Sequence, residues 1–493
     1  MFSLPSHTRN AFMSRRGFLQ SLQFGLGATA ATALLLEDKA LLADEENGVP
    51  AEAADPAPHH LSRAKRVVHV VATGGFSQVD SFDYKPELSK FHGKTLVEGL
   101  GRDEQPDVFF GQVGRLRQSD FAFKQHGESG LWISDLFPHL ATVADELTVV
   151  NSMFAETSNH TPATFQESTG FRLNGFPVFG SWVSYGLGAE TQNLPSYVVF
   201  PDARSLPAGG SINWTNGFLP ARHQGVIMRS QGTAIDDLDR PAGISDEQES
   251  ATRNLLGRLN RRLQNEQGDD DVLISRIKSY ELAARMQRVV PEITDLGKES
   301  KETHAMYGLG DGETNDFGRA CLLTRRLLEN GVRFVQLFSG GAFQSPRVNW
   351  DGHEDNKKNH TREAGRVDQP LAALIKDLKQ RGMLKDTVIL FTSEFGRTPF
   401  TQSKAEEVGA GRDHNQNGFS VWMAGGAFKS GLAYGSTDPV GYAAVENPVH
   451  WNDLHATLLH ALGIDHKRLT YYHNGIMRRL TNVGGEVVSD LLA

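Results

Sequence analysis

The sequence predicts an α/β fold with a mostly parallel central sheet, and three observations carry that expectation. Arg66–Ala72 (RVVHVVA) and residues 387–393 (TVILFTS) are apolar, β-branched runs without alternation, as expected of strands buried on both faces. Helical patterns alternate with such runs along most of the chain. Residues 202–310 break the rhythm with polar loops and two helical patterns, over 248–267 and over 272–290 as far as Pro291, and read as a largely helical insertion or lid.

Composition narrows the function classes. The chain has 493 residues, with 59 acidic against 50 basic side chains and a formal net charge of -9. That balance supplies no general attraction for phosphate backbones or anionic membranes, so no nucleic-acid partner is expected. The single cysteine, Cys321, excludes an intrachain disulfide framework and a cysteine-based zinc site. It lies in an apolar helical pattern and reads as a buried structural thiol.

In chain order, residues 14–20 (SRRGFLQ) precede a weakly apolar run rich in alanine and glycine. This looks like a twin-arginine export signal over residues 1–43, implying the twin-arginine translocase as a transient partner and a periplasmic or otherwise exported product. The run is too short and small-residue-rich to predict a stable membrane span in the mature form. Residues 44–62, rich in Ala, Pro, Asp and Glu, read as a flexible linker before a folded body over 63–493.

The first strand runs into TGGFSQVDSFD, placing Ser77, Asp80 and Asp83 at the strand edge where parallel sheets bind ligands. Each of the three reads equally well as a turn cap. Residues 134–146 (SDLFPHLATVADE) predict a capped helix feeding the strand LTVVNSMF, and NHTPATFQESTG opens at that strand's end. A helix near 315–330, stopped by Gly331, leads into the strand VRFVQLFSG.

Residues 350–399 are the centre of the functional reading. Asp351 and His353 precede an amphipathic helix over 362–380, marked by Val367, Leu371, Leu374, Ile375 and Leu378. Glu394 ends the buried strand that follows, and His414 sits in the glycine-flanked GRDHN. Singly, Asp351 reads as a turn cap, His353 as a surface histidine, Glu394 as an ion-pair partner of Arg397 and His414 as a loop histidine bonded to Asp413. Jointly they form a mixed oxygen and nitrogen ligand set suited to zinc, manganese, iron and, less readily, calcium or magnesium. His304, His360, His466 and His473 lack that placement and read as surface or packing residues.

The order Asp351, His353, amphipathic helix, FTSEFGR resembles the alkaline phosphatase and sulfatase superfamily, GRDHN resembles its later histidine ligand, and HTPATFQESTG resembles the sulfatase signature. More specifically, TGGFSQVDSFD, NHTPATFQESTG, NWDGHEDN, FTSEFGRTP and GRDHNQNGFSVWMAGG resemble the family called domain of unknown function 1501. The resemblance implies an alkaline-phosphatase-like three-layer sandwich and one or two divalent ions, zinc, manganese or calcium. It implies metal ligands among Asp351, His353, Glu394 and His414, with Asp80, Asp83 and His160 completing or flanking the site. His160 aligns with the sulfatase nucleophile precursor, and Glu394 with Phe395 replaces the usual Asp-His pair. Thr161 and Ser77 are the candidate nucleophiles, a metal-activated water the alternative, and Arg397 or Arg412 the candidate anion clamp. The expected function is metal-dependent hydrolysis of sulfate or phosphate esters in the cell envelope, with an anionic ester or sulfated glycan as substrate. The alternative is a non-catalytic envelope protein that recognises an anionic glycan or a protein partner.

Overall fold

The computed structural model describes residues 58–101, 106, 111, 113–238, 240, 243–267, 271–310, 312–342 and 347–493. The export signal and most of the linker therefore lie outside the described residues. From His59 to Ala64 the chain is bonded to the body, with His59 N donating to Gly463 O at 2.8 Å and Arg63 N to Ala461 O at 3.0 Å.

The central sheet is assembled from β1 (Arg66–Ala72), β2 (Leu147–Phe154), β3 (Tyr197–Phe200), β4 (Val226–Ile227), β5 (Phe334–Ser339), β6 (Thr387–Thr392), β9 (Phe419–Gly425), β10 (Leu432–Tyr434) and β11 (Val449–His450). Two short strands, β7 (Gly396–Thr401) and β8 (Arg412–Asn415), form a separate antiparallel pair between β6 and β9. The spatial order is β10-β2-β9-β6-β1-β5-β3-β4, with β11 also pairing β2. Within it β9 alone runs against its neighbours β2 and β6, and the remaining pairs are parallel. β1 lies at the centre, with Val68 in register with both Val335 and Ile389.

The unalternating strands follow from this placement, because helices cover both faces. Val68, Val70, Ile389 and Phe391 point into one core with α5 (Asn315–Glu329) and α6 (Asn356–Gln380). Val67, Val71, Val388 and Leu390 point into the other with α2 (Phe179–Leu187) and α7 (Trp451–Ala461). The result is the mixed α/β architecture with a mostly parallel sheet that the sequence predicts. Cys321 is fully buried in the first core, as its helical setting implies.

Three expectations are corrected. Residues 134–146 do not form one helix: a 3-10 turn spans Leu140–Glu146, and Ser134 ends a short hairpin strand, Leu131–Ser134. The α6 carboxylate of Asp368 accepts from His139 N at 2.7 Å and Leu140 N at 2.8 Å, so a tertiary contact, not a helix cap, organises the turn. The stretch 202–310 is not wholly helical, since it supplies β4 at the sheet edge before α3 (Asp246–Gln267) and α4 (Asp271–Thr294). Pro291 lies inside α4 and does not end it. It removes one donor from the ladder, a loss three further residues of helix tolerate.

Ile389 is fully buried in β6, one strand from the sheet centre. Ile389→Ala is expected to lower unfolding free energy by about 2–5 kcal/mol through lost burial and a residual cavity. Chemical denaturation with an unchanged m-value checks this.

Candidate metal centre

The carboxyl ends of β1, β5 and β6 converge on one point. After β1, Gly74 (φ +120°) lets the backbone pass so close to the 350–351 peptide that a Cβ there would stand 2.6 Å from Asp351 N. After β5, the chain returns with Trp350 N donating to Thr73 O at 3.0 Å, which places Asp351 over the end of β1. Asp351 is buried, as is His160 at the start of α1 (His160–Thr169), while His414 lies in β8. His353 follows Asp351 by two residues, and a Cβ on Gly411 would collide with its carbonyl, so only glycine admits this crossing.

His160, Asp351, His353 and His414 each offer one ligand atom, and these atoms lie within 4.8 Å of one another. Asp351 Oδ1 is the shared point: His353 Nε2 is at 2.8 Å, His414 Nε2 at 3.3 Å and His160 Nε2 at 3.5 Å. The opposite nitrogen of each ring faces an oxygen acceptor. His160 Nδ1 donates to Glu394 Oε1 at 2.7 Å, His414 Nδ1 to the Ser158 carbonyl at 2.6 Å, and His353 Nδ1 faces Gln402 Oε1. A proton held on Nδ1 leaves Nε2 as the acceptor nitrogen of a neutral ring. Three acceptor nitrogens and a carboxylate oxygen thus face one another, an arrangement a divalent cation fits, and outer oxygens of this kind orient metal-ligating histidines. The residues present suit zinc or manganese better than the all-oxygen ions.

Glu394 is set one layer behind this cluster. Its carboxylate accepts Gly74 N at 2.9 and 3.1 Å, Ser393 Oγ at 3.1 Å and His160 Nδ1, so it holds His160 and does not itself reach Asp351 Oδ1. Phe395 walls the cluster, its ring centroid 4.9 Å from that of His160 and 4.5 Å from that of His414.

The remaining expected residues lie elsewhere. Asp80 is buried against Arg412 at 2.8 Å and accepts Ser77 Oγ at 2.6 Å and Asn356 Nδ2 at 2.9 Å. Asp83 pairs with Lys85 at 2.9 Å and with Thr437. Ser77 is fully buried and its hydroxyl is held by Asp80, whereas Thr161 is half-buried beside His160 in the first turn of α1. Arg397 donates to Asp351 Oδ1 at 2.6 Å, Gly75 O at 2.8 Å, Arg412 O at 3.0 Å and Gly74 O. Arg412 donates to Asp80 and to the carbonyls of Thr398, Pro399, Arg117 and Gln118. Both arginines are therefore internal struts whose donors are already engaged, which departs from the expected anion clamp. The sequence reading passed over Arg347, which bonds Asp351 Oδ2 and Glu354 and keeps 28% of its side chain exposed. Its spacing of four residues from Asp351 is the available signal. His360, read as a packing residue, is fully buried and accepts Ser77 N at 3.0 Å.

Burial would raise the Asp351 carboxyl, but Arg397 and the three histidines outweigh it and hold it far below the usual range. Burial pushes His414 well down, aided by His160 and Arg397. Burial opposes charge on His160 too, yet the Asp351 and Glu394 carboxylates overcome it and raise its value.

These elements define an α/β protein with a buried histidine and aspartate candidate metal centre at the carboxyl edge of its sheet. The model for "Protein of unknown function (DUF1501)" matches residues 64–492, and the chain belongs to that family. Among curated proteins none matches. Similar solved structures include alkaline phosphatase from the Antarctic bacterium TAB5 (10% identity, TM-score 0.34, 82% of this chain and 98% of that one). The lipoteichoic acid synthase LtaP from Listeria monocytogenes is 13% identical, with a TM-score of 0.33 over 85% of this chain and 76% of that one. The PsFucS1 sulfatase from Pseudoalteromonas sp. is 12% identical, with a TM-score of 0.32 over 82% and 68%.

Removing the outer oxygen that orients a ligating histidine lowers metal affinity about 10–100-fold. Glu394→Ala is expected to show that loss for zinc by competition with a chromophoric chelator, with the far-ultraviolet spectrum retained, and Glu394→Gln, which keeps an acceptor oxygen, a smaller one. Proton competition sets the pH dependence: ligating imidazoles must be neutral, and His160, with its raised value, protonates first. Bound metal after dialysis is expected to fall as pH drops, the loss beginning above the ordinary imidazole range because His160 is raised.

Proposed function

We propose that the protein is a metal-dependent hydrolase of phosphate or sulfate esters, using His160, Asp351, His353 and His414 as ligands. The observation that carries the reading is the convergence of three Nε2 atoms on Asp351 Oδ1 with every Nδ1 held by an outer oxygen. A divalent cation there would polarise an ester oxygen and lower the pKa of a nearby water. Glu394, Ser158 and Gln402 fix the three rings, and Arg397 fixes Asp351, so the ligand geometry is preorganised. Phe395 excludes water from the buried side. Ser158, Thr161, His353 and Arg347 are half-buried, and on this reading substrate enters on their side. Arg347 is the guanidinium placed there to meet an anionic group, and Thr161 is the hydroxyl within that opening. The solved alkaline phosphatase and sulfatase above are consistent with an ester substrate. Export by the twin-arginine route, inferred from Arg15 and Arg16, belongs to the same proposal and would place the reaction in the envelope.

A second reading, a metal-binding envelope protein that recognises an anionic glycan without turnover, is favoured by one observation. The Ser77 hydroxyl is locked by Asp80 in a fully buried position and cannot act as nucleophile. The two readings separate in one experiment. Purified protein is analysed for metals by mass spectrometry, then assayed on aryl phosphate and aryl sulfate esters with and without chelator. The hydrolase reading expects about one metal per chain and turnover abolished by chelation and restored by zinc or manganese. Metal without turnover supports the binding protein, and folded protein that takes up no metal removes both.

A further inference from the structure

At the far end of α1 from His160, Gly170 passes so close to Leu480 that a Cβ would stand 2.5 Å from its carbonyl. Ten residues of helix separate this region from the metal centre by about 15 Å. Just before Leu480, β12 (Tyr471–His473) and β13 (Ile476–Arg478) form an isolated two-stranded hairpin. Asn474 (φ 51°) and Gly475 (φ 81°) are both left-handed, as a tight type I′ turn requires. One face is pinned to the body: His473 stacks on Phe218 with centroids 4.7 Å apart, and Tyr471 packs on Tyr185 at 5.8 Å. The other face carries the cross-strand pair Tyr472 and Met477, 67% and 57% exposed, while Ile476, 52% exposed beside the turn, pairs with His473 on the pinned side.

The charge around this apolar tip is one-sided. Residues 467–479 (KRLTYYHNGIMRR) hold four cations and no carboxylate, in a chain whose net charge is -9. Lys467 and Arg468 are exposed, Arg478 and Arg479 half-buried, and among the described residues none of the four forms an ion pair with a carboxylate. Asp465 precedes the run, its Oδ1 accepting Lys467 N at 2.8 Å, so residues 465–479 hold four cations against one carboxylate, and Tyr472 and Met477 standing in water gain nothing for the fold.

We propose that this hairpin docks the protein on an anionic lipid surface. Tyr472 and Met477 would enter the boundary between headgroups and acyl chains, with Ile476 beside the turn, while Lys467, Arg468, Arg478 and Arg479 sit at phosphate level. A second copy of the chain is the poorer occupant, because a two-fold contact would bring the same four cations face to face. A sulfated polysaccharide would meet the cations, but it offers no apolar layer for the tip. The contact is peripheral: among the described residues no helix is long and apolar enough to cross a membrane.

The test is co-sedimentation of the full chain with vesicles of phosphatidylglycerol and, separately, of phosphatidylcholine. Binding is expected to the former, to weaken with salt, and to fall about fivefold for each cation removed in Lys467→Ser and Arg468→Ser. Tyr472→Ser with Met477→Ser is expected to abolish it while bound metal stays unchanged, so the outcome is independent of the hydrolase reading. Absence of binding to phosphatidylglycerol, or equal binding by the variants, overturns the proposal. So does a concentration-dependent dimer that the Tyr472→Ser, Met477→Ser variant loses, which would assign the face to a second copy.

Discussion

The structure depends most on how a single buried carboxylate is neutralised. Asp351 sits at the crossing of four segments, and a charge removed from water is tolerated only when it is paired and hydrogen-bonded. Arg397 from β7 supplies a full positive charge at 2.6 Å, and histidines from α1, from β8 and from the loop carrying Asp351 itself bring their rings to the same oxygen. Arg397 also donates to the Gly74 and Gly75 carbonyls, which ties the loop after β1 to the same knot. Removing Asp351 would therefore leave a buried guanidinium unpaired as well as deleting a ligand. Stability and the candidate chemistry share one contact.

Sheet topology explains why the knot lies where it does. β1, β5 and β6 are parallel neighbours, so their carboxyl ends open on one edge, and the loops leaving them must cross there. Glycines mark the crossings: Gly74 against the 350–351 backbone, Gly411 against His353. β9 then enters antiparallel to β6, and the β7-β8 pair inserted before it carries Arg397 and His414 to the same edge. A second buried pair, Asp80 with Arg412, braces β8, so Asp80 contributes support at the centre's edge, while Asp83 is engaged separately by Lys85.

Much of this was legible in the sequence, and the limit is physical. Strands buried on both faces leave an unalternating apolar pattern, and α6 leaves a 3.6-residue one, so β1, β6 and α6 could be read directly. Asp351, His353 and His414 could be picked out as chemically apt residues near strand ends. Periodicity reports which face a residue occupies but not how far its side chain reaches. Glu394 and His160 therefore both looked like ligands, although one stands behind the other. Arg397 looked like an anion clamp because its three backbone acceptors, the carbonyls of Gly74, Gly75 and Arg412, come from segments far apart in sequence. β4 is two residues long and α4 runs through Pro291, and neither leaves a local pattern that overrides its polar or proline-bearing context.

The charge balance of the centre bears on what it can hold. Two carboxylates, Asp351 and Glu394, face one buried guanidinium, Arg397, while neutral imidazoles occupy the remaining directions. The buried core of the site is thus one negative charge in excess, and at its mouth the half-exposed Arg347 is shared between Asp351 and Glu354. That excess, together with three acceptor nitrogens turned towards one carboxylate oxygen, favours a divalent cation at this point. On the proposed hydrolase reading, an anionic ester would approach beside Arg347, whose guanidinium can turn from Asp351 to the incoming oxygens. Asp80 is neutralised by Arg412 and Asp83 by Lys85, so neither of these carboxylates adds to the negative charge at the centre.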